Sequence, residues 1–208
     1  MADRAITVPA AMVCALTRGR KTQTRRLLTS GLAACRPGDR LWVREAFAPF
    51  GYAKEGEPRD GYAAVRSADY AIMKDGWHQH RDGRSHADQD TSWDSPFHRV
   101  RWAPATQMPR WASRLTLVVE EVRIERLQAI GRDDAIAEGL RPWPLGLGLF
   151  WRWPPPYHRR PWRAPVAAYR HYWSATRGTE GERWEDDPEV VVLRFRVVRG
   201  NIDVVAAP

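Results

Sequence analysis

Gly19-Arg20-Lys21-Thr22-Gln23-Thr24-Arg25-Arg26 is the stretch on which the reading of this chain turns. Upstream of it, Thr7-Val8-Pro9 carries a helix-start signal, and Met12, Val13 and Leu16 share one face at helical spacing. Gly19 is the natural C-terminal cap of that helix, and residues 21–28 leave it as an extended segment. Lys21, Thr24, Arg25 and Arg26 therefore emerge together from a helix C-terminus. The partial negative charge there favours nearby cations. The same cluster is also suited to holding an anion or polarising a carbonyl. On a strict strand Lys21 and Thr24 would point to opposite faces, so their convergence requires Lys21 to belong to the loop after Gly19.

Working outward, Pro37-Gly38-Asp39 reads as a turn, and Leu41-Trp42-Val43 after it as a short strand. Residues 51–100 are rich in Gly, Asp, His and Arg with little periodicity, which predicts an insertion of long loops with a candidate strand at Gly61 to Val65. Arg114 to Arg123 alternates, Leu115, Leu117 and Val119 against Thr116, Val118 and Glu120, and Val122 to Glu125 prolongs that strand. Asp133 to Glu138 reads as a short helix capped by Gly139. Residues 141–165 are too rich in proline to form a regular element and, with their tryptophans, predict a second insertion, either a lid or an ordered surface loop. Val166 to Ala175 reads as a helix, and Val190 to Val198 as a last strand. The expectation is one α+β domain over residues 1–208: a small β-barrel with peripheral helices and long loop insertions at 51–100 and 141–165.

Composition narrows the classes. An apolar content of 43% argues against wholesale disorder, and 208 residues bury a core without a disulfide or metal staple. A net charge of +8 and a pI near 10.1 favour polyanionic partners, nucleic acid first. The eleven tryptophans serve either as core or as stacking surfaces for bases. Cys14 and Cys35 form no Cys-x-x-Cys pair and the histidines show no ligand spacing, so neither a metal site nor a cofactor is expected. No apolar run approaches transmembrane length and no signal core is found, which predicts a cytoplasmic protein without a membrane partner.

Glu138 stands in the last turn of its short helix, where a carboxylate is misplaced by about 0.3–1 kcal/mol. It is either an exposed residue that tolerates this cost or a functional acid.

The segment from Gly19 to Arg26 resembles the signature of the ASCH domains, small PUA-like β-barrels: Gly, any residue, Lys, four residues, Arg. Gly38-Asp39-Arg40-Leu41-Trp42-Val43-Arg44-Glu45 resembles the strand that follows that motif in phage and bacterial members. Met108 to Arg114, Asp134 to Gly139 and Tyr172-Trp173-Ser174 look like further blocks of a longer, prophage-associated branch. In the related bacterial enzymes that hydrolyse N4-acetylcytidine, a Lys, a Thr and a Glu are catalytic. The resemblance lays these roles on Lys21, Thr24 and Glu138. Arg26, Trp42, Arg44 and Glu45 are the candidates for substrate contacts, with Trp42 read either as core or as a base-stacking surface and Arg44 and Glu45 either as pocket lining or as a surface ion pair.

What the resemblance implies is an amidohydrolase acting on an N4-acylated cytosine nucleoside. Either Lys21 deprotonates Thr24 for attack on the acyl carbonyl, or Glu138 activates water while Lys21 stabilises the oxyanion. The expected partner is the modified nucleoside or a related small molecule, with RNA as a second candidate. Two other readings share the sequence features: a non-catalytic RNA or modified-nucleobase binding module, and a ribonuclease.

Overall fold

A computed structural model of the chain describes residues 1–52, 58–59, 70–73, 77–80, 85–87, 102–143, 150–153 and 161–206. In chain order the elements are β1 (Asp3–Thr7), α1 (Ala10–Thr17), β2 (Gln23–Leu27), β3 (Arg40–Arg44), β4 (Phe47–Tyr52), β5 (Pro58–Arg59), β6 (Tyr70–Met73), β7 (Trp77–His80), β8 (Ser85–Ala87), β9 (Leu115–Arg126), α2 (Arg132–Ala137), β10 (Arg141–Pro142), β11 (Trp151–Arg152), α3 (Pro165–Thr176) and β12 (Glu189–Arg199). The chain is thus mixed α and β. Its strands form sheets in the orders β1-β3-β9-β12-β2 and β5-β4-β6-β7-β8, with a two-stranded β10-β11 pair. Among the described residues no pairing joins β1 to β2, so the expected closed barrel is not formed by them.

The chain divides into two compact units, with β9 and β12 contributing to both. The first comprises Met1–Ala2, Ala11–Asp39 and Val118–Val197. Here β12 pairs antiparallel with β2, with Val192 opposite Arg25 and Leu193 opposite Thr24. The run Val190 to Leu193 is buried on both faces, as an inner strand requires. An aromatic cluster supports α3: Trp153 stacks on Tyr172 at 4.5 Å between ring centroids, and Tyr169 and Trp173 pack beside each other. The buried indoles are satisfied as well as packed, Trp153 Nε1 donating to the Ala168 carbonyl and Trp173 Nε1 to that of Glu182, both at 2.8 Å. Trp42, Trp153, Trp173 and Trp184 are thus buried core residues. The described part of the second insertion joins the same cluster, since β11 leads into Trp153 and Trp151 forms a bridge with Trp162.

The second unit comprises Asp3–Ala10, Arg40–Leu117 and Val198–Pro208. In it β1 pairs with β3 in parallel, Ala5 opposite Trp42. The described residues within 51–100 differ from the expected loops, because β5 to β8 extend an antiparallel sheet begun by β4. Short strands in a polar, glycine-rich stretch carry too few alternations to be legible. The candidate strand at Gly61 to Val65 lies outside the described residues. Phe47, Ala71, Met73, Ala103, Met108 and Ala112 form the core under this sheet. Leu115 to Leu117 also differ from the expected alternation: all three are buried, and the Thr116 hydroxyl is satisfied by the Gly200 carbonyl at 3.0 Å.

No described helix is long and apolar enough to cross a membrane. Cys14 and Cys35 are not joined in a disulfide.

Candidate active site

In the first unit α1 ends as expected, with Gly19 at a φ of +67°, the left-handed conformation of a helix C-cap. The Arg20 and Lys21 amides turn back onto the Ala15 carbonyl, so Lys21 belongs to the loop, and β2 begins two residues later. Lys21 forms a single antiparallel bridge with Glu138. The next amide, of Thr22, donates to the Ala137 carbonyl at 2.9 Å. The end of α1 and the end of α2 are thereby joined through backbone. Gly139 makes this approach possible. Its φ is +113°, and a Cβ there would stand 3.2 Å from the Ala15 Cβ and 3.4 Å from the Lys21 Cβ. Gly139→Ala is expected to cost about 1–3 kcal/mol in backbone strain alone and to push Lys21 away from Glu138. A chemical denaturation curve superimposable on wild type would contradict this.

Lys21 and Glu138 are buried, at 5% and 4% exposure. The Lys21 ammonium donates to Glu138 Oε2 at 2.8 Å, the Glu138 carbonyl at 3.0 Å and the Gln23 carbonyl at 2.8 Å. An ammonium has three protons, and these three bonds use them all. Burial pushes the Lys21 pKa below the usual lysine range. The Glu138 carboxylate opposes that shift, and the charges of Arg26 and Arg25 add to it.

Behind this pair stands Arg25, whose side chain is fully buried. Its Nη2 donates to Asp134 Oδ2 at 2.8 Å and to Glu125 Oε2 at 3.1 Å, and its Nη1 lies 3.8 Å from Glu138 Oε1. Arg123 extends the network by bonding Glu121, Glu125 and Asp134, and it donates to Gln23 Oε1 at 3.3 Å. Arg25 thus ties the start of α2 to β2 and holds the Glu138 end of that helix next to Lys21. Among the described residues Glu138 Oε1, Arg25 Nε and Arg25 Nη1 have no hydrogen-bond partner, although all are buried. Burial and the nearby Glu138 charge hold the Tyr169 phenol well above its ordinary range.

Burial alone would raise the Asp134 pKa, but the hydrogen bonds and charges of Arg25 and Arg123 outweigh it and hold the carboxyl below the usual range. The sign follows: a lowered native pKa gives stability that is present above about pH 4 and is lost as the pH falls through the lowered value. The denaturation midpoint of the wild type is expected to drop on that acid limb, and Asp134→Asn to flatten part of it. Parallel limbs for the two proteins would contradict the assignment.

The predicted site residues fare differently. Lys21 and Glu138 come into direct contact. Thr24 is buried on β2, opposite Leu193, and its hydroxyl receives none of the three Lys21 bonds. Strand alternation puts it on the face opposite Arg25. Arg26 is half-buried, and its charge acts on Lys21. Trp42, Arg44 and Glu45 belong to the second unit. There the Arg44 guanidinium lies 4.5 Å from the centre of the Trp42 ring. Glu45 is buried and held by both oxygens against Arg114, at 2.8 and 2.9 Å, a geometry that fits a structural ion pair. Sequence reasoning left Asp134 and the partners on β9 out of the site. Their signal was available: Glu121, Arg123 and Glu125 alternate along one face of a strand, which places charges of both signs side by side. Among the described residues there is no group of three His, Cys, Asp or Glu that could hold a metal.

No family model, curated protein or solved structure matches the chain.

Proposed function

We propose that this protein is an amidohydrolase that removes the acyl group from an N4-acylated cytosine nucleoside, as an ASCH-type domain with Glu138 as its base. The observation that carries the reading is the buried Lys21–Glu138 pair, in which the lysine is fully bonded and one carboxylate oxygen is not. A lysine donating three hydrogen bonds has no lone pair with which to deprotonate Thr24. Glu138 Oε1 has lone pairs free. This favours water as nucleophile over the threonine hydroxyl.

In the proposed reaction Glu138 takes a proton from water as its oxygen bonds to the acyl carbon. Negative charge develops on the carbonyl oxygen beside the cationic Lys21. Collapse breaks the carbon–nitrogen bond, and the proton passes from Glu138 to the exocyclic amine. One carboxylic acid and one cytosine nucleoside leave. Thr24, buried on the strand face opposite Arg25, takes no part in this scheme, so Thr24→Ala is not expected to abolish turnover. The test is rapid-mix kinetics on N4-acetylcytidine. Cytidine is expected to appear without a burst, in a 1:1 ratio to acetate. A burst equal to the enzyme concentration, lost in Thr24→Ala, would assign the nucleophile to Thr24. Tight binding of the nucleoside with no cytidine formed would leave a binding module.

A further inference from the structure

Between Glu138 and Glu180 the sequence contains no Asp, Glu or Lys, yet it carries Arg141, Arg152, Arg159, Arg160, Arg163, Arg170 and Arg177. Two of these arginines are placed by the β10-β11 pair, whose register sets Arg141 directly opposite Arg152. Residues opposite each other on an antiparallel ladder project to the same face, and like charges there are unfavourable. The loop after α1 adds Arg18 and Arg20. Arg20 adjoins Lys21, and Arg141 follows Glu138 by three residues, so the Lys21–Glu138 bridge brings both arginines to one end of the candidate site. Among the described residues the side chains of Arg18, Arg20, Arg141 and Arg152 take part in no salt bridge, and the buried Nε atoms of Arg20, Arg141 and Arg152 have no hydrogen-bond partner. The Arg152 guanidinium instead lies over the Trp143 ring, 4.5 Å from its centre, a cation–π contact that leaves its charge without an acid.

The electrostatics agree with that placement. Burial first, then the charges of Arg152, Arg20 and Arg18, hold Arg141 below the usual arginine range, and Arg18 does the same to Arg20 after burial. Four cations that repel one another with no acid among them are costly unless an anion joins them. Two other arginine clusters among the described residues, Arg25 with Arg123 and Arg40 with Arg110, are interleaved with carboxylates. The forked donors of several arginines beside an indole suit a phosphate attached to a nucleoside.

We infer that Arg18, Arg20, Arg141 and Arg152 form a phosphate-binding subsite next to the Lys21–Glu138 pair, so that the ligand is a phosphorylated cytosine nucleoside, free or within an RNA strand, rather than the bare nucleoside. The identity of the base rests on the function proposed above; the phosphate preference does not depend on turnover. It is tested by equilibrium binding of cytidine, cytidine 5′-monophosphate and a short oligocytidylate, read by tryptophan fluorescence. Cytidine 5′-monophosphate is expected to bind at least about tenfold more tightly than cytidine, with the margin shrinking as salt rises. Arg141→Gln/Arg152→Gln should erase the margin. Arg18→Gln, at an exposed position that leaves the fold alone, should reduce it. An oligocytidylate that binds far more tightly than the mononucleotide, with a steeper salt dependence, assigns the phosphate to an RNA strand; equal affinities assign it to a nucleotide. Equal binding of cytidine and its monophosphate by the wild type, or a margin that survives these substitutions, overturns the subsite. Absent hydrolysis with an intact margin would sink the amidohydrolase and leave the subsite standing.

Discussion

Glu138→Gln is expected to lower kcat/KM for N4-acetylcytidine by about 10²–10⁴-fold, the usual worth of a positioned general base. The substitution is nearly isosteric. A glutamine oxygen can still accept from Lys21, so the bridge that joins the two helix ends is retained. What is lost is the basic oxygen, Oε1, which lies 3.8 Å from Arg25 Nη1. The effect should therefore fall on activity more than on folding. A variant that keeps wild-type rates would remove Glu138 from the chemistry, and one that fails to fold would recast it as structural. Glu138→Asp separates these further: it keeps a base and withdraws it, so an intermediate loss is expected.

The second large effect is on stability. Lys21→Met leaves the Glu138 carboxylate buried with its closest cation gone, which is expected to cost about 3–5 kcal/mol. Removing both charges together, as in Lys21→Met/Glu138→Leu, should recover most of that cost, because an apolar pair of similar volume often replaces a buried ion pair with little loss. Denaturant titrations of the two single variants and the double variant give the coupling directly. Additive losses would mean that the 2.8 Å contact between Lys21 and Glu138 contributes nothing in solution. The double variant should also be inactive, which ties the stability cycle to the proposed chemistry.

The parts of the fold that were legible in the sequence are those with enough periodicity or a distinct terminus. The helix from Ala10 with its Gly19 cap, the long strand from Leu115, the short helix before Gly139, α3 and the last strand all follow from such signals. The sheet of β4 to β8 was not legible, because its strands are short and lie in a polar, glycine-rich stretch. Nor was strand pairing: nothing local in Asp3–Thr7 specifies a parallel partner at Arg40–Arg44. The Lys21–Glu138 contact spans 117 residues, and periodicity cannot foresee it; only the resemblance put the two residues together. The Glu45–Arg114 pair, 69 residues apart, was hidden in the same way: Glu45 read equally as pocket lining or as half of a surface ion pair, and nothing local named Arg114 as its partner. The arginines that we assign to phosphate look scattered along the chain. What gathers them is the loss of acids after Glu138 together with the β10-β11 register, and only the first of these can be read without a structure.

The most direct test of the central claim, that the buried Lys21–Glu138 pair hydrolyses an acylated cytosine, is an absorbance-monitored incubation of N4-acetylcytidine and its 5′-monophosphate with wild-type protein and Glu138→Gln side by side. The expected result is conversion to the deacylated product by the wild type and a rate lower by about two orders of magnitude or more in the folded variant. Unchanged substrate with wild-type protein on both compounds, or equal rates for the two proteins, would contradict the claim.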